Sequence, residues 1–286
     1  MDNKRYIKHL LFVFFSLAFS ITYSQEVLDI EEGSNEKSKL ERVKIYVDKG
    51  ADVNSKDEEN NTALLYAAGL GHFDIVKYLV ENGSNVNARN AQGLTVLSLC
   101  SYLGRLEICK FLLDHGAEVN AQNFNGYTPL MYAITAEKAN IDIIELLLAK
   151  GANINASNKY NTTILMGAIM TGNLSLVELL VNKGADMNVT NGRGDTPVLI
   201  AYENNKLDIM EYLLSKNANY ESQNKLGDNL FLKATKQNDE KTVKLLLKRG
   251  VNKSVRDNSA RTALGIAKQL KNDKLVELLQ IAGVPE

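Results

Sequence analysis

The strongest constraint on this chain is a period. Helix-starting residues Thr62, Thr95, Thr128, Thr163, Thr196, Asn229 and Thr262 recur every 33 residues, apart from one interval of 35 after Thr128. Helix-stopping residues Gly83, Gly116, Gly151, Gly184, Asn217, Gly250 and Gly283 keep the same beat. A fixed interval of this size means stacked structural units, because one such unit cannot bury its apolar face alone. Thr and Asn suit a helix N-cap, where the side-chain oxygen accepts an orphan backbone N–H. Pro129 and Pro197 follow two of the caps, at the first helical position, where proline loses nothing. Gly closes a helix in the left-handed conformation, and Asn217 is the usual substitute.

Between start and stop, apolar residues keep a helical spacing: Leu64, Ala67 and Ala68, then Ile75, Val76, Leu79 and Val80. The pattern predicts an all-α chain of paired short helices, with the small Ala67–Ala68 pair allowing close approach between neighbours. The same reading places Leu146 and Leu179 in a shared core, where truncation to Ala costs about 2–5 kcal/mol.

The segments TALLYAA (62–68), TPLMYAI (128–134) and TPVLIAY (196–202) resemble the ankyrin repeat, as do the tails GADVN, GSNVN, GAEVN, GANIN and GADMN. The resemblance covers almost everything after about residue 40. It implies an ankyrin-repeat solenoid of stacked antiparallel helix pairs with short β-hairpin-like finger loops. The family's histidine after T-P-L is missing throughout: the slot holds Leu65, Ser98, Met131, Met166, Leu199, Leu232 and Gly265.

In chain order, residues 1–24 read as an export signal. Lys4, Arg5 and Lys8 precede an apolar run from Leu10 to Tyr23, with small residues before Gln25. That run reaches about 21 Å as a helix, short of the roughly 30 Å bilayer core, so cleavage near Ser24 is expected. Cleavage removes two net positive charges and takes the chain from −1 to −3. A mildly acidic mature chain gives no nucleic-acid footprint, and no membrane attachment is expected after cleavage. Residues 25–54 read as a degenerate N-terminal capping repeat, with a first helix to about residue 40 and a second around Val43, Ile45, Tyr46 and Val47 ending at Gly50. Residues 55–286 read as seven repeats, the last a C-terminal cap whose Lys268 and Lys271 face water.

Each repeat opens with a polar turn centred on an acid or amide: Asp57, Asn90, Asn123, Asn158, Asn191, Asn224 and Asp257. Gly or Asn follows three residues later, except at Ala260, which is expected to mark a less regular finger. The third repeat has two additional residues around Ala136–Asn140. The sixth, with Asn229, Lys233 and Thr235, departs most from the pattern and is expected to open first, near residues 217–250.

Catalytic and metal-binding patterns are absent from the sequence. Cys100 and Cys109 occupy apolar slots and read as reduced, buried thiols. His72 and His115 have no second ligand at metal spacing. No P-loop, nucleophile elbow or HExxH occurs, and Arg193-Gly194-Asp195 reads as turn chemistry, an adhesion tripeptide at best. With the mature chain used up by repeats, the reading is a non-catalytic, cofactor-free monomer.

In the ankyrin family, partners bind the concave face built from finger tips and inner helices. Mapping that face onto this chain gives Tyr66, Leu94, Leu99, Tyr102, Phe124, Tyr127, Tyr132 and Tyr160 as an aromatic and apolar stretch. Arg193, Asp195, Lys225, Leu226, Asp228, Lys233 and Lys236 follow as a charged one. The resemblance therefore implies binding of a protein partner, in the periplasm or outside the cell. The alternative is an exported effector or immunity-type protein that inhibits an enzyme or toxin by binding it.

Overall fold

The computed structural model describes residues 36–286. The export signal and the start of the capping repeat lie outside the described residues. The first helix, α1 (Glu36–Asp48), runs as one rod. Residues 36–40 therefore belong to the helix of Val43 and Val47 and not to a separate first helix. Val43 is buried and Ile45 exposed on that rod.

Fourteen further helices follow as seven pairs among the described residues: α2 (Ala63–Leu70) with α3 (Phe73–Glu81), α4 (Val96–Leu103) with α5 (Leu106–Asp114), and α6 (Pro129–Thr135) with α7 (Ile141–Ala149). Next come α8 (Ile164–Thr171) with α9 (Leu174–Asn182), and α10 (Pro197–Glu203) with α11 (Leu207–Ser215). The last two pairs are α12 (Leu230–Lys236) with α13 (Glu240–Lys248), and α14 (Ala263–Gln269) with α15 (Asp273–Ile281). The chain divides into two compact units, the first ending at Asn153 and the second starting at Ile154.

Every first helix starts as its sequence dictates. The side-chain oxygens of Thr62, Thr95, Thr128, Thr163, Thr196, Asn229 and Thr262 each accept the amide of the third helical residue. That third residue occupies the missing-histidine slot. In six of seven repeats its side chain is now buried, apolar except for Ser98. Asn217 takes the left-handed conformation expected of it, at φ +61°.

The fingers are held by one repeated device. The side-chain oxygen of the central acid or amide accepts the amides two and four residues ahead, as Asp57 does from Glu59 and Asn61 at 2.9 and 2.8 Å. All seven fingers carry this pair. Ala260 therefore does not mark an irregular finger: its turn is bonded like the others, with the alanine held at φ +59°. Only isolated antiparallel bridges form at the finger bases, at Lys56–Thr62, Arg89–Thr95 and Ser157–Thr163.

A second ladder explains the Asn that ends each tail. Asn54 donates to the Gly83 carbonyl at 3.0 Å and accepts from the Asn85 amide at 2.7 Å. Asn87 and Asn120 repeat both bonds one repeat further on within the first unit. In the second unit Asn155 does the same toward Gly184 and Asp186. Each such Asn satisfies one orphan carbonyl and one orphan amide of the neighbouring repeat.

The core of the first unit is built from Leu64, Ile75, Leu97, Leu112, Leu130, Ile134, Ile143, Ile144 and Leu147. That of the second is built from Leu165, Leu176, Leu180, Phe231, Leu246 and Leu279. Leu147 and Leu180 are fully buried, whereas Leu146 and Leu179 are only partly so. The sequence reading was off by one residue, within the width of the apolar stripe of each run of consecutive aliphatic residues. The sixth repeat packs its departures from the pattern inward. Phe231, Asn229 and Thr235 have no exposed surface, and Thr235 donates to the Phe231 carbonyl at 2.9 Å.

Candidate partner-binding face

In the first unit the fingers and first helices bring an aromatic cluster together. Tyr132, on α6, sits in its middle. Its hydroxyl accepts from Asn123 Nδ2 at 2.8 Å. The Tyr102 ring, on α4, stands edge-on to it at 6.5 Å, and the Tyr127 ring, at the finger base, tilts against it at 5.9 Å. Burial pushes the Tyr132 phenol up to about 12, with the neighbouring Tyr127 adding to the rise. Burial and the nearby Glu137 carboxylate also raise Tyr102.

Phe124, at the tip of the same finger, is 59% exposed. Its amide reaches the Gln92 carbonyl at 3.3 Å, joining two fingers. Gly93 makes this possible: it sits at φ +74°, and a Cβ there would come within 2.9 Å of Phe124 N and 3.0 Å of its ring. Tyr66, two repeats earlier, is half-buried and donates to Asp57 Oδ2. Burial first, then that bond, raises its pKa.

Two of the eight residues mapped from sequence do not reach this surface. Leu94 and Leu99 are buried, at 5% and 4% exposure. For Leu99 the reason is a close helix contact: a Cβ on Gly69 of α2 would meet Leu99 Cδ2 at 3.2 Å, so the leucine fills the space that glycine leaves. Tyr160 belongs to the second unit. It is 66% exposed at a finger tip, and its carbonyl accepts from the Gly192 amide at 2.8 Å.

Apart from the exposed Lys225, the charged side chains of this stretch in the second unit are paired from within. Asp195 is buried and accepts from Arg193 Nε, Asn191 Nδ2 and Asn224 Nδ2 at 2.8, 3.1 and 2.8 Å. The Arg-Gly-Asp tripeptide is thus folded onto itself, which removes the adhesion reading. Lys233 pairs with Glu203 at 2.5 Å, and Arg193 reaches the same carboxylate at 3.6 Å. Lys236 spans Asp228 at 2.5 Å and Asp257 at 3.0 Å, and Asp257 also holds Arg261. Sequence reading missed Glu203 and Glu137. Laying the repeats in register exposes Glu203, because it occupies the slot of Tyr102 and Lys236.

Cys100 and Cys109 are free and fully buried, and burial pushes the Cys100 thiol well up. His115 bonds its own helix at the Phe111 carbonyl and stacks on the Phe111 ring at 4.0 Å. Among the described residues no three His, Cys, Asp or Glu side chains are grouped to hold a metal ion. No helix among them is long and apolar enough to cross a membrane.

Paired short helices, bonded fingers and a face of aromatic side chains define an all-α repeat protein of the kind that presents surfaces to other proteins. The family model for ankyrin repeats matches residues 34–123, 120–191, 165–257 and 198–284, and the chain belongs to the ankyrin repeat family. No curated protein matches it significantly.

Proposed function

We propose that this chain is a non-catalytic protein-binding scaffold that works after export, in the periplasm or outside the cell. It holds a protein partner against the aromatic face of its first unit. The observation that carries the reading is the Tyr102–Tyr132–Tyr127 cluster with Phe124 beside it. Rigid aromatic groups on a surface concentrate binding energy at little entropic cost, and ring contacts hold the three tyrosines together, with the Tyr132 hydroxyl bonded to Asn123. Export rests on the basic, apolar and small-residue order of the first 24 residues.

The test is capture by cross-linking in the exported fraction, read by mass spectrometry, with wild type and the Tyr102→Ala, Phe124→Ala, Tyr127→Ala triple variant. Loss of one captured protein with an unchanged melting curve supports the reading. Undiminished capture overturns it.

A further inference from the structure

We propose that the tyrosine face of the first unit receives a cationic side chain, Arg or Lys, from its protein partner, over the rings of Tyr102 and Tyr127 and beside the Glu137 carboxylate. This rests on the protein-recognition reading above and adds the chemistry of what is recognised.

The argument comes from comparing the same repeat slots in the two units. In the second unit, Glu203 stands seven residues after its helix cap, and Lys233 stands four after the next cap. Their side chains meet at 2.5 Å. The first unit places Tyr102 and Tyr132 in those two slots, and their rings meet at 6.5 Å. Lys236, in the Tyr102 slot of its own repeat, is likewise held by two carboxylates. The frame thus brings a cation and acids together at these slots where the chain supplies both. In the first unit those two slots hold ring faces and no cation, with the Glu137 acid nearby.

Glu137 lies close enough to raise the Tyr102 phenol, after burial itself. It is exposed and makes no ion pair among the described residues, not even with the adjacent Lys138. Across the face, Glu59 raises Tyr66 and meets only the Gln92 amide, at 3.3 Å. Two carboxylates without an ion pair among the described residues therefore border a patch of part-exposed rings. No side chain among the described residues bonds the Tyr102 or Tyr127 hydroxyl. An aromatic face attracts Arg or Lys through its quadrupole, and a neighbouring carboxylate strengthens the attraction. A carboxylate-bearing partner would meet repulsion at both borders.

The experiment is a titration of the isotope-labelled full chain, followed by TROSY NMR, with acetyl-(Gly-Arg)4-amide and with acetyl-(Gly-Glu)4-amide. The arginine peptide should give saturable shifts at Tyr102, Tyr127 and Tyr132, and the glutamate peptide none. Glu137→Gln, a surface change that keeps the wild-type spectrum, should weaken the arginine peptide about threefold. Equal shifts with both peptides, shifts confined to other residues, or unchanged affinity in Glu137→Gln would each overturn the proposal. If peptide shifts are absent while the triple variant still loses its captured partner, the cation inference fails and protein recognition stands.

Discussion

Lys236 is the most informative side chain to remove. It is 27% exposed and holds two carboxylates that are 5% and 2% exposed, those of Asp228 and Asp257. The two acids are not equivalent. Asp257 keeps Arg261 at 2.7 Å and the amides of Ser259 and Arg261 when Lys236 is gone. The Asp228 carboxylate has no other hydrogen-bond donor among the described residues. Lys236→Met therefore leaves one buried carboxylate orphaned. Breaking a buried pair from one side costs about 3–5 kcal/mol, and the partial exposure of Lys236 discounts this to about 2–3 kcal/mol. The double variant Lys236→Met with Asp228→Asn removes the stranded charge and should return to within about 1 kcal/mol of wild type.

Urea unfolding by circular dichroism measures the loss, and hydrogen exchange at α12 and α14 locates it. The effect has a pH signature. Burial acts to raise the Asp257 carboxyl, but bonds from Arg261, Lys236 and two amides hold it well below the usual carboxylate range. A depressed acid contributes fully above its unfolded pKa and loses that contribution as pH falls, here below about pH 4. Burial acts to lower Lys236, yet its bonds to Asp228 and Asp257 raise it. Its contribution is therefore lost only as pH climbs past about 10.5. The gap between wild type and Lys236→Met should be widest between these limits and narrow in acid. A loss below about 0.5 kcal/mol at neutral pH, or a double variant no better than the single one, would refute the reasoning.

Three further outcomes are expected. Leu147→Ala should cost about 3–5 kcal/mol and Leu146→Ala about 1 kcal/mol, because only Leu147 is fully enclosed; equal urea midpoints would contradict the burial order. Ala260→Gly should stabilise the chain by about 0.5–1 kcal/mol, since a Cβ at φ +59° is strained, and a fall in melting temperature would speak against it. Cys100 and Cys109 should resist a thiol reagent in the native protein and react on unfolding, given zero exposure and a raised Cys100 pKa; fast native labelling would place at least one of them at the surface.

The fold was legible because its signals are local and repeated. A Thr before an apolar run, a Gly after it and an Asx in the turn each act within a few residues, and seven copies in phase average out the exceptions. Asn217 and Asn229 were readable substitutes because their side chains do the same local job. The face was harder to read. Sequence grouped Tyr102, Tyr127 and Tyr132, whose rings meet in the fold, but put Leu94 and Leu99 at the surface. Whether a slot is covered depends on how near the neighbouring repeat comes, and Gly69 sets that distance for Leu99.

By itself, then, the sequence determined period, helix pairing, caps and finger turns, all of which depend on bonds spanning a few residues. Only the tertiary structure decided which charges are already spent. Glu203 and Lys233 look like separate surface charges in one dimension, yet they meet at 2.5 Å across neighbouring repeats. Glu137 meets no such partner, and no local pattern marks the difference. Ion pairing across repeats depends on distances between side chains about thirty residues apart, which stacking sets and sequence order does not.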